Sequence, residues 1–156
     1  MGLLKYRKVH LCRLDYIDDI EKNINPNLKL KKINIFNIKK VVKLYEEIGE
    51  FQNTTIESLR SNLKSGRGYC IEERKKVISM AKSTAENDNT AMIIGVGTHP
   101  EYRNQGLAGK CLIRLCKELL AENIKPCLFY DNEEAGKLYS KLGFKTIDNW
   151  SIYYKN

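Results

Sequence analysis

Residues 94 to 109 collect side-chain types suited to holding an anionic ligand by main chain rather than by side chain. Gly95 and Gly97 interrupt an otherwise apolar run from 90 to 98. Glycine weakens a strand, so in such a run it marks a bulge or a ligand lying against the backbone. Pro100 stops the run, and Arg103-Asn104-Gln105-Gly106-Leu107-Ala108-Gly109 opens a helix. A helix start offers unpaired N–H groups and the positive end of the dipole, and Gly106, Ala108 and Gly109 leave those groups uncovered. The combination makes a phosphate cradle. No Lys-Ser/Thr pair follows and the GxGxxG spacing is missing, which turns the reading from the common nucleotide loops to a pyrophosphate held chiefly by backbone. The same residues also suit a plain helix entry packed through small side chains.

A second group lies downstream, in Asn132-Glu133-Glu134-Ala135-Gly136-Lys137-Leu138-Tyr139-Ser140-Lys141-Leu142-Gly143-Phe144. Asn132 can cap a helix, and Glu133 and Glu134 favour the positive end of its dipole. Tyr139 follows two turns after Asn132, on nearly the same face. Gly143 suits a left-handed C-cap, with Phe144 closing the apolar contact. From spacing alone, Tyr139 reads first as a packing aromatic fixing the helix to the sheet, with a phenol available for proton transfer as the alternative. Metal chemistry is not expected: the chain has 2 His and 5 Cys, with no CxxC pair and no zinc-ligand spacing. The cysteines read as small hydrophobes in a reducing compartment.

The elements that must position these groups follow from pattern. A strand is expected over 8 to 14 and a turn over 23 to 27. A helical stripe of apolar residues at 38, 41, 42, 44, 45 and 48 predicts a helix within 34 to 51, stopping near Gly49. Thr54 and Glu57 form a capping box that would open a second helix to Lys64. Strands over 68 to 73, 76 to 86 and 90 to 98 read as a meander. A helix over 104 to 122, a strand over 126 to 130, a helix over 133 to 142 and strands within 145 to 155 complete the order αα-βββ-α-β-α-β, a mixed α/β architecture.

With 156 residues, 42% hydrophobic and 29% charged, the chain can bury a core without staples, and collagen-like, low-complexity and disordered classes are excluded. No apolar run approaches a membrane span, and the N-terminal residues match neither a signal peptide nor a lipidation signal, so a cytoplasmic protein is expected. The net charge is +8. Residues 1 to 45 hold 11 Lys and Arg against 4 acids. A basic face can meet an anionic partner. No aromatic ladder interleaves the lysines, so nucleic acid is not the expected partner and a solvated face is.

The sequence Gly97-Thr98-His99-Pro100-Glu101-Tyr102-Arg103-Asn104-Gln105-Gly106-Leu107-Ala108 resembles the acyl-CoA signature of the GNAT superfamily of N-acetyltransferases, R/Q-x-x-G-x-G/A, through Arg103, Gly106 and Ala108. Its wording is similar to the FR47-like branch. The Asn132–Phe144 segment resembles the superfamily's N-x-x-A-x-x-x-Y-x-x-x-G-F stretch. The likeness covers about residues 30 to 156. It implies an acetyltransferase domain over 31–156, with 1–30 an N-terminal extension, and a central, mostly antiparallel sheet with a bulged strand and flanking helices. It further implies acetyl-CoA as cosubstrate and a primary amine as acceptor. Ile94, Val96 and Thr98 would hold the pantetheine arm. Arg103, Asn104, Gly106, Leu107, Ala108 and Gly109 would hold the pyrophosphate, with Asn132 completing the cofactor site. One main-chain amide would polarise the thioester carbonyl and Tyr139 would protonate the departing thiolate. The superfamily often carries a Glu near the start of the bulged strand, where this chain has Thr90, Ala91 and Met92. Glu86 or Asp88, acting through water, is the expected substitute base, with a surface-turn role as the alternative. A non-catalytic acyl-CoA-binding module is the alternative to an enzyme.

Overall fold

A computed structural model describes residues 4–17, 29–49, 57, 58, 60, 61 and 66–155. Seven strands form one sheet: β1 (Leu4–Arg13), β2 (Lys29–Lys32), β3 (Gly68–Glu73), β4 (Lys76–Thr84), β5 (Thr90–Thr98), β6 (Lys125–Tyr130) and β7 (Lys145–Lys155). Their order across the sheet is β2-β3-β4-β5-β6-β1-β7. Every pairing is antiparallel except β5 with β6. Three α-helices stand among the described residues: α1 (Ile38–Ile48), α2 (Leu107–Ala121) and α3 (Glu133–Leu142).

The sheet has a core on each face. On one side, Ile38, Val41, Leu44 and Tyr45 of α1 pack on Cys70, Val77 and Met80. On the other, Leu112, Leu115 and Leu119 of α2, with Leu142 of α3, pack on Ile71, Ile78, Ile93 and Leu128. The apolar stripe of α1 and the glycine ending it behave as the pattern requires: Gly49 sits at φ 76 and its N–H returns to the Tyr45 carbonyl. α1 begins at 38 rather than 34 because the asparagines satisfy main-chain groups locally. Asn34 donates its N–H to Asn37 Oδ1 at 2.9 Å and its own Oδ1 accepts from Phe36 N at 2.8 Å. The second helix expected from Thr54 lies largely outside the described residues.

Two strands depart from the expected order. β2 has only Leu30 to mark it among three lysines, too little apolar pattern to read as a strand. β1 is an interior strand, hydrogen-bonded to β6 on one edge and to β7 on the other, where residues 1–30 were expected as an extension. Cys12 and the following Leu14 are buried at 2% and 0% exposure, so this segment is part of the core rather than an addition to it. The 145–155 stretch is a single strand whose partner is β1.

Candidate functional site

The register of β4 against β5 locates the irregularity that Gly95 and Gly97 announced. Met80 lies opposite Gly97 and Lys82 opposite Ile94, so Ala81 alone faces the pair Gly95 and Val96. This is a β-bulge, which bends the strand and re-aims its side chains. Ala91 and Ile93 point into the α2–α3 core, and after the bulge Val96 returns to that side. Ile94 and Gly95 are turned toward α1. Gly95 adopts φ +62, and a Cβ there would stand 2.2 Å from the Tyr45 hydroxyl oxygen. Only glycine fits, because the phenol of α1 rests directly on the bulge.

The other edge of β5 opens. Thr90, Ala91 and Met92 pair with Lys125, Pro126 and Cys127 of β6, and the pairing stops there. Main-chain groups of 93–98 that point away from β4 therefore face a gap between two diverging strands. Ile94, Val96 and Thr98 all line this stretch. The Thr98 hydroxyl is held by Ser79 at 2.8 Å, and its carbonyl accepts from Arg103 Nε at 3.2 Å.

Beyond the gap the chain turns into α2. His99 is buried and fixes this turn: its Nδ1 accepts from the Glu101 N–H at 3.1 Å, and its Nε2 meets Glu47 of α1 at 3.0 Å. Asn104 (φ 65) and Gly106 (φ 71) then place two left-handed residues before α2. That delays the helix to Leu107 rather than 104. No side chain caps it, no acid occupies its first turn, and a Cβ at Gly106 would meet open space. Leu107 is buried beneath, Ala108 is small, and Gly109 lies where a Cβ would touch Leu138 at 3.7 Å. The N–H groups at this end are thus exposed to an approaching anion, with Arg103 and Lys110 beside them.

Asn132 caps α3 through Oδ1, accepting from Glu134 N at 2.8 Å and Ala135 N at 3.4 Å. Gly143 (φ 108) closes the other end, and the Phe144 N–H returns to the Tyr139 carbonyl at 3.0 Å. Tyr139 is half-buried between Tyr130 and Phe144, with ring centroids at 5.9 Å from each. Burial, with a smaller contribution from the Cys12 thiol, pushes its phenol above the usual tyrosine range. Val96, Leu138 and Tyr139 pack against the same core, so the Val96 half of the bulge and the α3 phenol share one side of the sheet, while Gly95 faces α1 on the other. Gly136 allows this packing: a Cβ there would lie 2.5 Å from the Tyr130 ring.

Glu86 is not brought to the bulge. Its carboxylate accepts from Arg67 Nη2 at 2.8 Å and from Ser83 Oγ at 2.8 Å. Arg67 also binds Glu118 of α2 at 3.1 Å and Glu122, the residue that caps the end of α2. The hydrogen bonds that Arg67 donates to Glu122 and then to Glu86 raise the guanidinium's proton affinity. Glu86 is thereby one acid of an ion-pair network that ties the β4–β5 turn to α2.

Pattern reading passed over Lys82. α1 covers it and it is only 6% exposed. Its ammonium lies 5.7 Å above the Tyr45 ring, and burial pushes its pKa down to about 8. Tyr45 enters the sequence reading only as part of the helical stripe, and Glu47 not at all.

Comparison with known proteins agrees with this geometry. A family model described as GNAT acetyltransferase matches residues 5–153. The chain is 30% identical over 95 residues to soybean (Glycine max) "Histone acetyltransferase TAP1", covering 60% of this chain and 41% of that protein. It is 35% identical over 75 residues to "GCN5-related N-acetyltransferase 2, chloroplastic" of Arabidopsis thaliana, covering 47% and 29%. The chain thus spans less than half the length of these relatives. A putative GNAT-family acetyltransferase from Novosphingobium aromaticivorans superposes with a TM-score of 0.76 at 19% identity, covering 97% of this chain and 66% of that one. A predicted acetyltransferase from Clostridium acetobutylicum, solved with acetyl-CoA, gives 0.65 at 22% identity, covering 79% and 93%. These two likenesses bear on the fold. Among the described residues, no helix is long and apolar enough to cross a membrane.

Proposed function

Because the chain belongs to the GNAT acetyltransferase family, whose members use acetyl-CoA as cosubstrate, we propose that it moves the acetyl group of acetyl-CoA onto a primary amine by direct attack. The observation that carries this reading is one continuous strand–turn–helix: a bulged β5 whose free edge faces a gap, followed by an uncapped α2. In this proposal the pyrophosphate is held by the first N–H groups of α2, at residues 106–109, with Arg103 and Asn104 beside them. The pantetheine arm runs along the gap, hydrogen-bonding to main chain at Ile94, Val96 and Thr98. Asn132 closes the site from the start of α3.

The amine nitrogen forms a bond to the acetyl carbon as the carbon–sulfur bond breaks. An amide of the bulge accepts the charge developing on the carbonyl oxygen. Tyr139 delivers a proton to the leaving thiolate, and its raised pKa keeps the phenol protonated and available at neutral pH. The acceptor is a primary amine in its neutral form, since an ammonium has no lone pair with which to attack.

The reading is tested by incubating the protein with acetyl-CoA and a polyamine, an arylalkylamine, an α-amino acid and a lysine-bearing peptide, while following free thiol. Amine-dependent thiol release is expected, and Gly106→Glu should abolish acetyl-CoA binding in calorimetry by placing a carboxylate at the cradle. Binding of acetyl-CoA without release for any amine supports the binding-module alternative. Unchanged affinity in the Gly106→Glu variant removes the pyrophosphate assignment.

A further inference from the structure

We propose that Lys82 is the base that takes the proton from the incoming ammonium, so that the amine reaches the bulge of β5 in its neutral form. The inference rests on the acetyl-transfer reading above. Between Met80 and Thr84 on β4, and between Met92 and Gly97 on β5, Lys82 is the one ionisable side chain. It stands directly opposite Ile94, and cross-strand partners share a face, so both are turned toward α1. Met92, opposite Thr84, is its diagonal neighbour. Lys82 is therefore the group that can serve a base's part on this face of the bulge, one strand over from the position where β5 carries only Met92.

The contacts at Gly95 set the reach. Lys82 Cε lies 3.3 Å from the point where a Gly95 Cβ would be, one bond from the ammonium. The Tyr45 hydroxyl occupies the rest of that space. Side-chain polar groups of α1 and β4 thus converge on the backbone proposed to hold the thioester, and glycine at 95 is what admits them. A base must also be deprotonated for part of the time near neutral pH. Burial brings Lys82 to about 8, from an ordinary value of 10.5. The groups facing it are few. α1 presents Tyr45; β5 presents uncharged Met92 and Ile94; β3 presents Gly68, with Cys70 and Glu72 farther along. Glu72 is engaged by Lys31 and Lys40 and is no counter-ion for Lys82. Among the described residues no carboxylate pairs with Lys82.

The proton balance closes. The ammonium of the acceptor gives its first proton to the neutral Lys82 amine. Its freed lone pair forms the carbon–nitrogen bond while the carbon–sulfur bond breaks, and the thiolate takes the Tyr139 proton. The nitrogen's second proton leaves as the amide forms and restores the Tyr139 phenol. Lys82 then releases its proton to solvent, so one proton is produced per turnover.

The test compares wild type with Lys82→Met, Lys82→Gln and Lys82→Arg, using the panel amine that releases thiol fastest. Met and Gln remove the base, and Arg keeps the charge but does not deprotonate. All three should lose 10²–10⁴-fold in turnover, with acetyl-CoA affinity within a few-fold of wild type. Wild-type turnover should rise with pH through a group near 8, and that limb should vanish in Lys82→Met, leaving only the acceptor's own ionisation. Near-wild-type turnover in Lys82→Arg would show that only a cation is needed and overturn the proposal. So would an unchanged pH profile in Lys82→Met or Lys82→Gln. A wild type that releases no thiol with any amine overturns both this inference and the reading it rests on, whereas active variants overturn this one alone.

Discussion

Tyr139 and Lys82 carry opposite shifts from one cause, and each shift makes a prediction. Burial holds the Tyr139 phenol protonated, which suits a proton donor but also describes any packed tyrosine. Tyr139→Phe separates the two, since it keeps the ring between Tyr130 and Phe144 and removes only the hydroxyl. The acid role predicts a fall of about 10²–10⁴-fold in single-turnover rate, with acetyl-CoA affinity within a few-fold. A wild-type rate would return Tyr139 to packing. For Lys82 the buried ammonium is a cost to the folded state. Its folded pKa of about 8 lies below its unfolded one, so the unfolded chain binds this proton more readily. The cost is complete below pH 8 and fades as pH rises toward 10.5. Lys82→Met should therefore stabilise the protein at pH 7, by up to roughly 3 kcal/mol before the lost contact with Tyr45 is counted. The gain should shrink toward zero by pH 10.5, read as the difference between urea midpoints of variant and wild type at the two pH values. A gain independent of pH would assign the effect to packing.

The bulged strand is braced at the scale of elements by the helix laid across it. A methyl group at Gly95 would collide with the Tyr45 hydroxyl at 2.2 Å and also strain a φ of +62. Overpacking costs about 1–3 kcal/mol and the left-handed backbone about 1–2 more, so Gly95→Ala should lower stability by several kcal/mol in chemical denaturation. Tyr45→Phe removes the atom the methyl meets first, and the double variant should be less destabilised than the sum of the singles, by about 0.5–3 kcal/mol. Strict additivity would mean that α1 does not hold the bulge. The β5–β6 gap depends on a different device. β6 is kept in the sheet beyond Met92 by β1, which pairs His10 to Arg13 with Tyr130 to Cys127 while β5 moves away. The N-terminal strand thereby keeps the far wall of the gap in place.

For the whole molecule, ligand binding and folding are linked. A ligand that binds only the folded state at one hundred times its dissociation constant adds about 2.7 kcal/mol, or roughly 5–10 °C in Tm for a chain this size. Acetyl-CoA should produce this shift in a thermal melt. ATP and NAD should produce much less, because neither carries the pantetheine arm that the β5 edge is proposed to hold. A larger shift with NAD would point to another cofactor class. The linkage also sets a balance in Lys82→Met, whose apo form should melt higher than wild type while its turnover falls, as happens where a buried charge serves activity rather than stability.

Local chemistry was legible without coordinates wherever neighbours in sequence are also neighbours in space. The glycine-bearing strand, the proline stop, the uncapped start of α2 and both caps of α3 are contained in runs of about a dozen residues, and turn and helix-end preferences act over that range. Tertiary contacts decided the rest. β1 is placed by partners more than a hundred residues away, at Lys125–Tyr130 and Lys145–Lys155, a pairing that no local pattern encodes. The sheet's registry put Lys82 opposite Ile94, and α1 then excluded water from it, lowering its pKa to about 8. Glu86 was likewise assigned its partner by the fold: Arg67, nineteen residues upstream, engages its carboxylate. Charge and proton affinity follow burial and partners rather than residue type, and both are properties of the assembled sheet.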